Sequence, residues 1–552
     1  MNREIDFYKS YEYSVEVYHD ELGCIGRAKL TFGDGEWPHL AFERPLEVGE
    51  LIEGQKCDRL KAISDAGETF TLFGCDYKFF YTHADFLVEG DVEAKFKGIY
   101  IRYANVSEWF LRDRYVKGDV GDVLVWVNKP EPIEVEVKTS DEHFSFGTEV
   151  RSTSEHSGEN FVVNEYVLFG FEKLDGFFDV ASVRTKCLEL SNFISILIAC
   201  PFSIISVGVK GEKEGFGYVY FPYFKRVERE ARKISWTNCL IQKRMLDGRW
   251  QSVFEKYYKS EHRKVVWARL AGMQRYDSFL EYEALGYISL LDKVVEKKSK
   301  GKVAEVVPPS QEKIDAFTAK VASFPEKLTD AQQTGVLSIV NQVFGRKDRT
   351  FARNFKSAVS SGDGRVMKII NISDEDFSFI KGIRDAIAHG DAIDLGGDNH
   401  IRVLQIVRKI ALLLTYWAYI DFGLMPDDFI TCLKSTHNSF VLSANIDSVY
   451  LERITGMSDF YEVSEKQFEE ISVIKGVWAQ SCFTRGPSGA IEYSEKYTRM
   501  LKDWMAQRRF GEMKPSLMFG VDDGKVKCSG TAYLESGDKR LSLHHIYVID
   551  EN

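Results

Sequence analysis

At 552 residues the chain is too long for one hydrophobic core and calls for about three or four domains. Its 44% hydrophobic and 28% charged residues are the composition of a soluble globular protein. A net charge of -11 excludes a surface that is basic throughout, so any nucleic-acid partner must meet a local basic patch. The nine cysteines are odd in number and none forms a C-x-x-C pair, which points to reduced thiols in a cytoplasm, without a disulfide framework or a zinc knuckle. The start, Met1-Asn2-Arg3-Glu4-Ile5-Asp6, has no apolar run behind a positive end and does not read as a signal peptide.

Residues 1–225 read as β-rich. Tyr13-Ser14-Val15-Glu16-Val17-Tyr18 and Ile133-Glu134-Val135-Glu136-Val137 alternate with period two. Gly33-Asp34-Gly35 is a turn signal between such runs. A helix is expected over Ala181–Ala199. The uncharged stretch Leu190–Val209 is long enough to span a bilayer. Its serines and Pro201 instead divide it into a buried helix and a buried strand. Phe216–Phe224 reads as a strand whose Tyr218, Tyr220 and Tyr223 are either packed sheet aromatics or a surface for stacking bases.

The pattern then turns helical. Lys225–Arg275 holds 14 Lys or Arg against 5 Asp or Glu, either a solvated or paired helical face or a track for a phosphate backbone. Phe279–Val295 is amphipathic, with Phe279, Leu280, Tyr282, Ala284, Leu285, Ile288, Leu291 and Val294 on a broad face. Lys297–Pro309 reads as a loop, followed by helices near Gln311–Ala322 and Asp330–Phe344. Ser373-Asp374-Glu375-Asp376 is an N-cap signature that opens a helix running to His389, with Gly390 as its stop. After a loop over Asp391–His400, Ile401–Phe422 is apolar nearly all round and must be buried. The tail, 436–552, reads as a small mixed region, with helices over Glu465–Gln480 and Glu492–Arg509 and a hairpin turn at Val521-Asp522-Asp523-Gly524-Lys525. The expected architecture is therefore α+β and multidomain: a β-rich domain at 1–225, an all-α bundle at 226–435 and a mixed α/β region at 436–552.

Arg384-Asp385-Ala386-Ile387-Ala388-His389 carries the candidate chemistry. An arginine can stabilise a phosphorane and a histidine can move a proton, the two tasks of a ribonuclease that works through its side chains. The same spacing occurs at Arg151 with His156, expected on loose Ser-, Glu- and Gly-rich surface, and at Arg540 with His545 in a strand pattern that sends the two side chains to opposite faces. On a helix, five residues turn ~500° and rise ~7.5 Å, so Arg384 and His389 point ~140° apart. That separation favours a cleft completed by a second copy of the chain. His389 lies at a helix C-terminus, where the macrodipole favours a protonated ring. Asp385 either orients a ring or arginine or pairs locally. The alternative is structural, with Arg384 and His389 bonding the last carbonyls and a nearby carboxylate.

The stretch Phe379-Ile380-Lys381-Gly382-Ile383-Arg384-Asp385-Ala386-Ile387-Ala388-His389-Gly390 resembles the signature of HEPN domains, which are helical bundles. Phe279-Leu280-Glu281-Tyr282-Glu283-Ala284-Leu285 is similar to the long early helix of that bundle, and the apolar helix after the motif also fits. The β-rich start, from Gly98-Ile99-Tyr100 to Glu108-Trp109-Phe110, resembles the N-terminal domain of ApeA-type HEPN proteins, which are bacterial anti-phage abortive-infection effectors. The resemblance covers roughly residues 1–435. It implies cleavage of RNA, tRNA in particular, without a metal or other cofactor, leaving a 2′,3′-cyclic phosphate, with Arg384, Asp385 and His389 at the site. Helix geometry adds a homodimer or higher oligomer, and the reduced cysteines a cytoplasmic location with no membrane partner; the large β-rich region is expected to sense infection, through a phage-derived trigger, or to restrain the site. Two rival readings are a non-catalytic HEPN scaffold that binds RNA or protein, and a β module for sugars or peptides fused to a helical dimerisation domain.

Overall fold

The computed structural model describes residues 4–44, 56–78, 80–118, 123–212, 215–223, 235–274, 279–299, 351–389, 398–486, 489–507 and 514–550, with parts of 315–336. Six antiparallel strands come first: β1 (Ser10–His19), β2 (Gly23–Gly33), β3 (Glu36–Phe42), β4 (Lys56–Ser64), β5 (Thr69–Lys78) and β6 (Tyr81–Glu89). The pairings β1–β2, β2–β3, β3–β6, β6–β5, β5–β4 and β4–β1 close them into a ring. Alternate residues point inward, and Val15, Val17, Leu30, Leu40, Leu60 and Leu72 are wholly buried there. The turn signal at Gly33-Asp34-Gly35 joins β2 to β3. Gly33 has φ +108°, and a Cβ there would lie 2.0 Å from the Lys9 carbonyl oxygen, so only glycine fits.

β6 pairs with β3 near its start and with β14 (Phe216–Tyr220) near its end. The ring thus runs on into a second antiparallel sheet through β14, β13 (Ile204–Lys210), β7 (Gly98–Tyr103), β12 (Asn160–Lys173), β11 (His143–Ser157) and β10 (Glu134–Lys138). Two short strands, β8 (Tyr115–Lys117) and β9 (Val125–Val127), pair apart from it. The uncharged stretch is divided at Pro201 as expected. Helix α2 (Val180–Ile198) precedes β13, and both are buried. Tyr220 is buried in β14, Tyr223 is buried just beyond its end and Tyr218 is half-buried, the packed arrangement of the two considered.

The helical part comprises α3 (Trp250–Lys259), α4 (Ala268–Met273), α5 (Leu280–Ser299), α6 (Phe351–Ser360), α7 (Gly364–Ile370), α8 (Asp374–His389), α9 (Asp398–Asp421) and α10 (Pro426–Ser435), after a short α1 (Val106–Leu111) between the strands. A π-helical turn, Arg263–Trp267, links α3 to α4. α9 is long and apolar enough to cross a membrane, but 78% of its apolar window is buried inside the protein. α5 begins as expected, although its face is narrower. Ala284, Tyr287, Ile288, Leu291 and Val294 are buried, whereas Phe279, Tyr282 and Leu285 are exposed. The loop expected from Lys297 starts later, because α5 continues to Ser299. The rest of that loop, most of the helices near 311–344, and Gly390 fall outside the described residues.

The boundary expected at 225 is not a seam. The chain forms two compact units, Met1–Ile446 and Asp447–Asn552. The first unites sheet and helices because α2, which belongs to the β-rich stretch, sits in the helical core. Phe193 of α2 meets Phe254, Tyr257 and Phe422, and the Tyr419 hydroxyl of α9 donates to the Leu197 carbonyl. Phe146 of β11 stacks on Phe254 of α3 at 4.4 Å. Lys186 and Arg263 lie buried between Glu142 and Glu189. Lys186 pairs with both carboxylates (3.1 Å to Glu189), and Arg263 reaches Glu142 at 3.3 Å and Glu189 at 3.4 Å.

The second unit is a five-stranded mixed sheet in the order β15 (Asp459–Glu462), β18 (Val526–Ser536), β19 (Lys539–Asp550), β16 (Cys482–Arg485), β17 (Ile491–Tyr493). Alternate residues of its strands feed two cores on opposite faces, one with Phe468 and Phe483, the other with Cys482, Leu501 and Phe519. The helix expected over Glu465–Gln480 ends at Ser472. The expected hairpin at Val521–Lys525 is instead a 3-10 turn leading from a helix into β18. The hairpin is at Gly537-Asp538, between Ser536 and Lys539, where Gly537 has φ +57°.

Burial alone would raise the Glu142 carboxyl, but Lys186 and then Arg263 outweigh it and hold its pKa below the usual range. A depressed carboxylate contributes stability at neutral pH that disappears as pH falls through its folded pKa. In urea unfolding followed by tryptophan fluorescence, stability should therefore drop as pH is lowered below about 4. Lys186→Ala, which leaves two carboxylates to share Arg263 alone, should cost about 3–5 kcal/mol at pH 7.

Candidate functional site

The helix that carries the motif is capped as its sequence predicts. The Ser373 hydroxyl accepts from the Asp376 amide at 3.0 Å, and the Asp376 carboxylate accepts from the Ser373 amide at 3.3 Å. Lys409 of α9 donates to the same carboxylate at 3.0 Å and to the Asn371 carbonyl at 2.7 Å, tying the start of α8 to the buried helix. Phe377, Ile380 and Ile383 form the buried face of α8, with Phe377 stacked on Phe355 at 4.3 Å. Arg384 follows that face by one residue and stands at its edge.

Arg384 is held on three sides. Its Nη2 donates to Asp292 of α5 at 2.8 Å, its Nη1 lies 3.7 Å from Asp385, and its guanidinium sits 5.3 Å from the centre of the Phe351 ring. The two ion-paired side chains are 41% and 30% exposed, so solvent and other anions reach the pair. His389 is exposed at the C-terminal end of the helix and has no hydrogen-bond partner among the described residues. The structure thus brings Arg384 and Asp385 together, and helix geometry sends His389 ~140° away around α8. Asp292 and Phe351 were not singled out in the sequence. Asp292 sits in an amphipathic helix as an ordinary border residue, and nothing in its spacing announces its partner.

The other two matches to the spacing are strands. Arg151 and His156 lie on β11 rather than on loose surface, and Arg151 is held by Glu149 at 2.9 Å. Strand pairing orders this stretch, since β11 is matched to β12 along its whole length. On β19, Arg540 pairs with Glu535 at 2.8 Å, while His544 faces Ser542 at 3.3 Å. Neither arginine meets its histidine.

Four of the eight described basic residues in this stretch are ion-paired. Lys243 pairs with Asp247, Arg249 makes a two-pronged contact with Asp428, Lys259 pairs with Glu255, and Arg263 is in the buried network. Residues 224–234 and 275 fall outside the described residues. Among the described residues no group of three or more His, Cys, Asp or Glu is placed to hold a metal.

Residues 26–257 match the family model described as ApeA N-terminal domain 1. This stretch is similar to the N-terminal domain of ApeA proteins, a likeness that supports an ApeA-type anti-phage protein. The match takes in most of the barrel, the second sheet and α2, and ends inside α3, so the family domain crosses residue 225 just as the core does. No curated protein and no solved structure matches the chain.

Gly382 lies on the exposed side of α8, two residues before Arg384, and a Cβ there would meet nothing within 4 Å. Gly382→Ala should stabilise the unit by about 0.5–1 kcal/mol, read as a higher unfolding midpoint. Asp292→Asn should change stability by less than about 1 kcal/mol in the same assay, because the ion pair it removes is partly exposed.

Proposed function

We propose that the helical region is a HEPN-type endoribonuclease that needs no metal and cuts RNA, tRNA in particular, so that infection ends in growth arrest of the host. The observation that carries this reading is one capped helix presenting a guanidinium, held at its edge, and an exposed imidazole at its end. A ribose 2′-oxygen attacks the neighbouring phosphorus and the bond to the 5′-oxygen breaks. The products are a 2′,3′-cyclic phosphate and a 5′-hydroxyl. His389 moves the proton, Arg384 stabilises the charge on the phosphorane, and Asp385 helps hold the guanidinium.

The angle between Arg384 and His389 favours a cleft shared by two copies. Phe279 just before α5, Tyr282 and Leu285 on α5 and Ile401 on α9 are exposed apolar side chains available to a second copy. The proposed setting is the cytoplasm, where tRNA is at hand, with no membrane partner. The proposed role of the ApeA domain is to sense a phage-derived trigger. Because α2 lies within the helical core, deleting residues 1–225 would remove core along with any sensor, so point substitutions are the better probe.

The Arg384–Asp292 ion pair is also what a non-catalytic RNA- or protein-binding scaffold would show, and one assay separates the two readings. Purified protein with total RNA and a chelator should give cleavage products ending in cyclic phosphate. Arg384→Ala and His389→Ala should each reduce the rate by about 100-fold or more while leaving the fold intact. Cleavage that survives His389→Ala would rule out the nuclease reading. Light scattering should report a dimer or larger, and a strict monomer that still cleaves would refute the shared cleft.

A further inference from the structure

Three lysines converge near the C-terminal ends of α5 and α9 without a carboxylate at ion-pair distance among the described residues. The Lys298 ammonium lies 5.2 Å from the centre of the Trp417 ring. Lys297 contacts Nδ1 of His262 at 3.4 Å. Lys256 folds over Gly423, so closely that a Cβ on that glycine would fall 2.4 Å from its Nζ. An ammonium can only donate, so His262 accepts through Nδ1 and is neutral, with its proton on Nε2. Its pKa is accordingly lowered, by burial first, and that of Lys298 is lowered chiefly by burial too.

The negative groups in this cluster are too few to balance it. Asp421 is one charge, and it is already occupied, accepting from the Trp267 indole at 2.6 Å and from the Ser260 hydroxyl. The end of α9 adds roughly half a negative charge. Glu261, 3.7 Å from Nε2 of His262, adds a second carboxylate, so three ammonium groups leave an excess of about 0.5 positive charge in a protein whose net charge is -11. The π-helical turn fixes the arrangement from below. His262 precedes it, and Arg263 within it is locked into the buried ion network.

We propose that Lys256, Lys297 and Lys298 form an anchor for the sugar-phosphate backbone of single-stranded RNA, separate from the Arg384 site. This rests on the nuclease reading for its choice of RNA. The anchor shares α5 with Asp292, the partner of Arg384. From Asp292 to Lys297 the helix rises ~7.5 Å and turns ~140°, so a strand seated at Arg384 can bend around α5 onto the lysines within a few nucleotides. Lysines act as point charges toward phosphate and read no sequence, so the anchor sets affinity and leaves base choice to other contacts.

The test uses full-length protein carrying His389→Ala to silence cleavage, with fluorescently labelled single-stranded RNA and anisotropy as the readout. Lys297→Gln combined with Lys298→Gln removes two charges. This should lower the slope of log affinity against log salt by about 1.4 and weaken binding about 25-fold at 0.1 M salt. Lys256→Gln alone should lower the slope by about 0.7. Lys264→Gln, an exposed lysine on the outer side of the π turn, should leave both unchanged. An unchanged slope in the Lys297/Lys298 double variant, or no RNA binding by the parent, overturns the anchor. In the first case an acidic protein surface becomes the better occupant. Lysine-dependent binding in a protein that never cleaves RNA would keep the anchor and discard the nuclease. Cleavage without lysine-dependent binding would do the reverse.

Discussion

The buried pairing of Lys186 and Arg263 with Glu142 and Glu189 is the constraint on which the larger unit turns. Its members come from three places: the β10–β11 turn, helix α2 and the π-helical turn. Charges this deeply buried tolerate little relative movement, because separating either cation from its carboxylates leaves an uncompensated charge away from water. Hydrophobic contact alone would allow sheet and helices to slide. The ion network fixes their register, and the aromatic rings around it fill the space: Lys186 lies over Phe144 and Tyr258, and Arg263 donates to the Tyr258 carbonyl at 3.0 Å.

From that junction the supports of the site can be followed outward. The π turn leads into α4, and His262 beside it meets Lys297 on α5. α5 in turn packs against α6, α8 and α9, so the helix that carries Arg384 and the helix that carries Phe351 share one neighbour. α9 is pinned from the sheet side through Tyr419 and Leu197 and from the site side through Lys409 and Asp376. A displacement of the sheet relative to α2 would therefore have a physical route to the helices around Arg384. The route consists of packed side chains and paired charges, which by themselves establish contact and leave the size of any coupling to measurement.

Much of this was legible in the sequence. Period-two strands, the break at Pro201, the reciprocal Ser373–Asp376 cap and the buried apolar helix each follow from local rules, and each is found where those rules place it. What failed to show were features made by distant pairings. The seam expected at residue 225 marks a real change from strand to helix pattern, yet α2 crosses it in space. Asp292 carries no local signal, because an acidic residue at the border of an amphipathic helix is ordinary until its partner is known. The hairpin signal at Val521–Lys525 was outdone by Gly537-Asp538, whose two-residue length matches the twist of the paired strands.

The strength of the Arg384–Asp292 pair bears directly on what the arginine can do. A buried, fully satisfied guanidinium would be committed to structure, as Arg263 is. Arg384 is different. Its pair is 41% and 30% exposed and, in this setting, contributes on the order of 0–1 kcal/mol. A phosphate offers two or three oxygens and greater charge, so it can displace or share the contact with Asp292 at small cost. Meanwhile the Phe351 ring and Asp385 keep the guanidinium near its place during the exchange. Arg384 is thus pre-positioned without being used up, which is the condition an arginine must meet if it is to bind a phosphorane that exists only in the transition state.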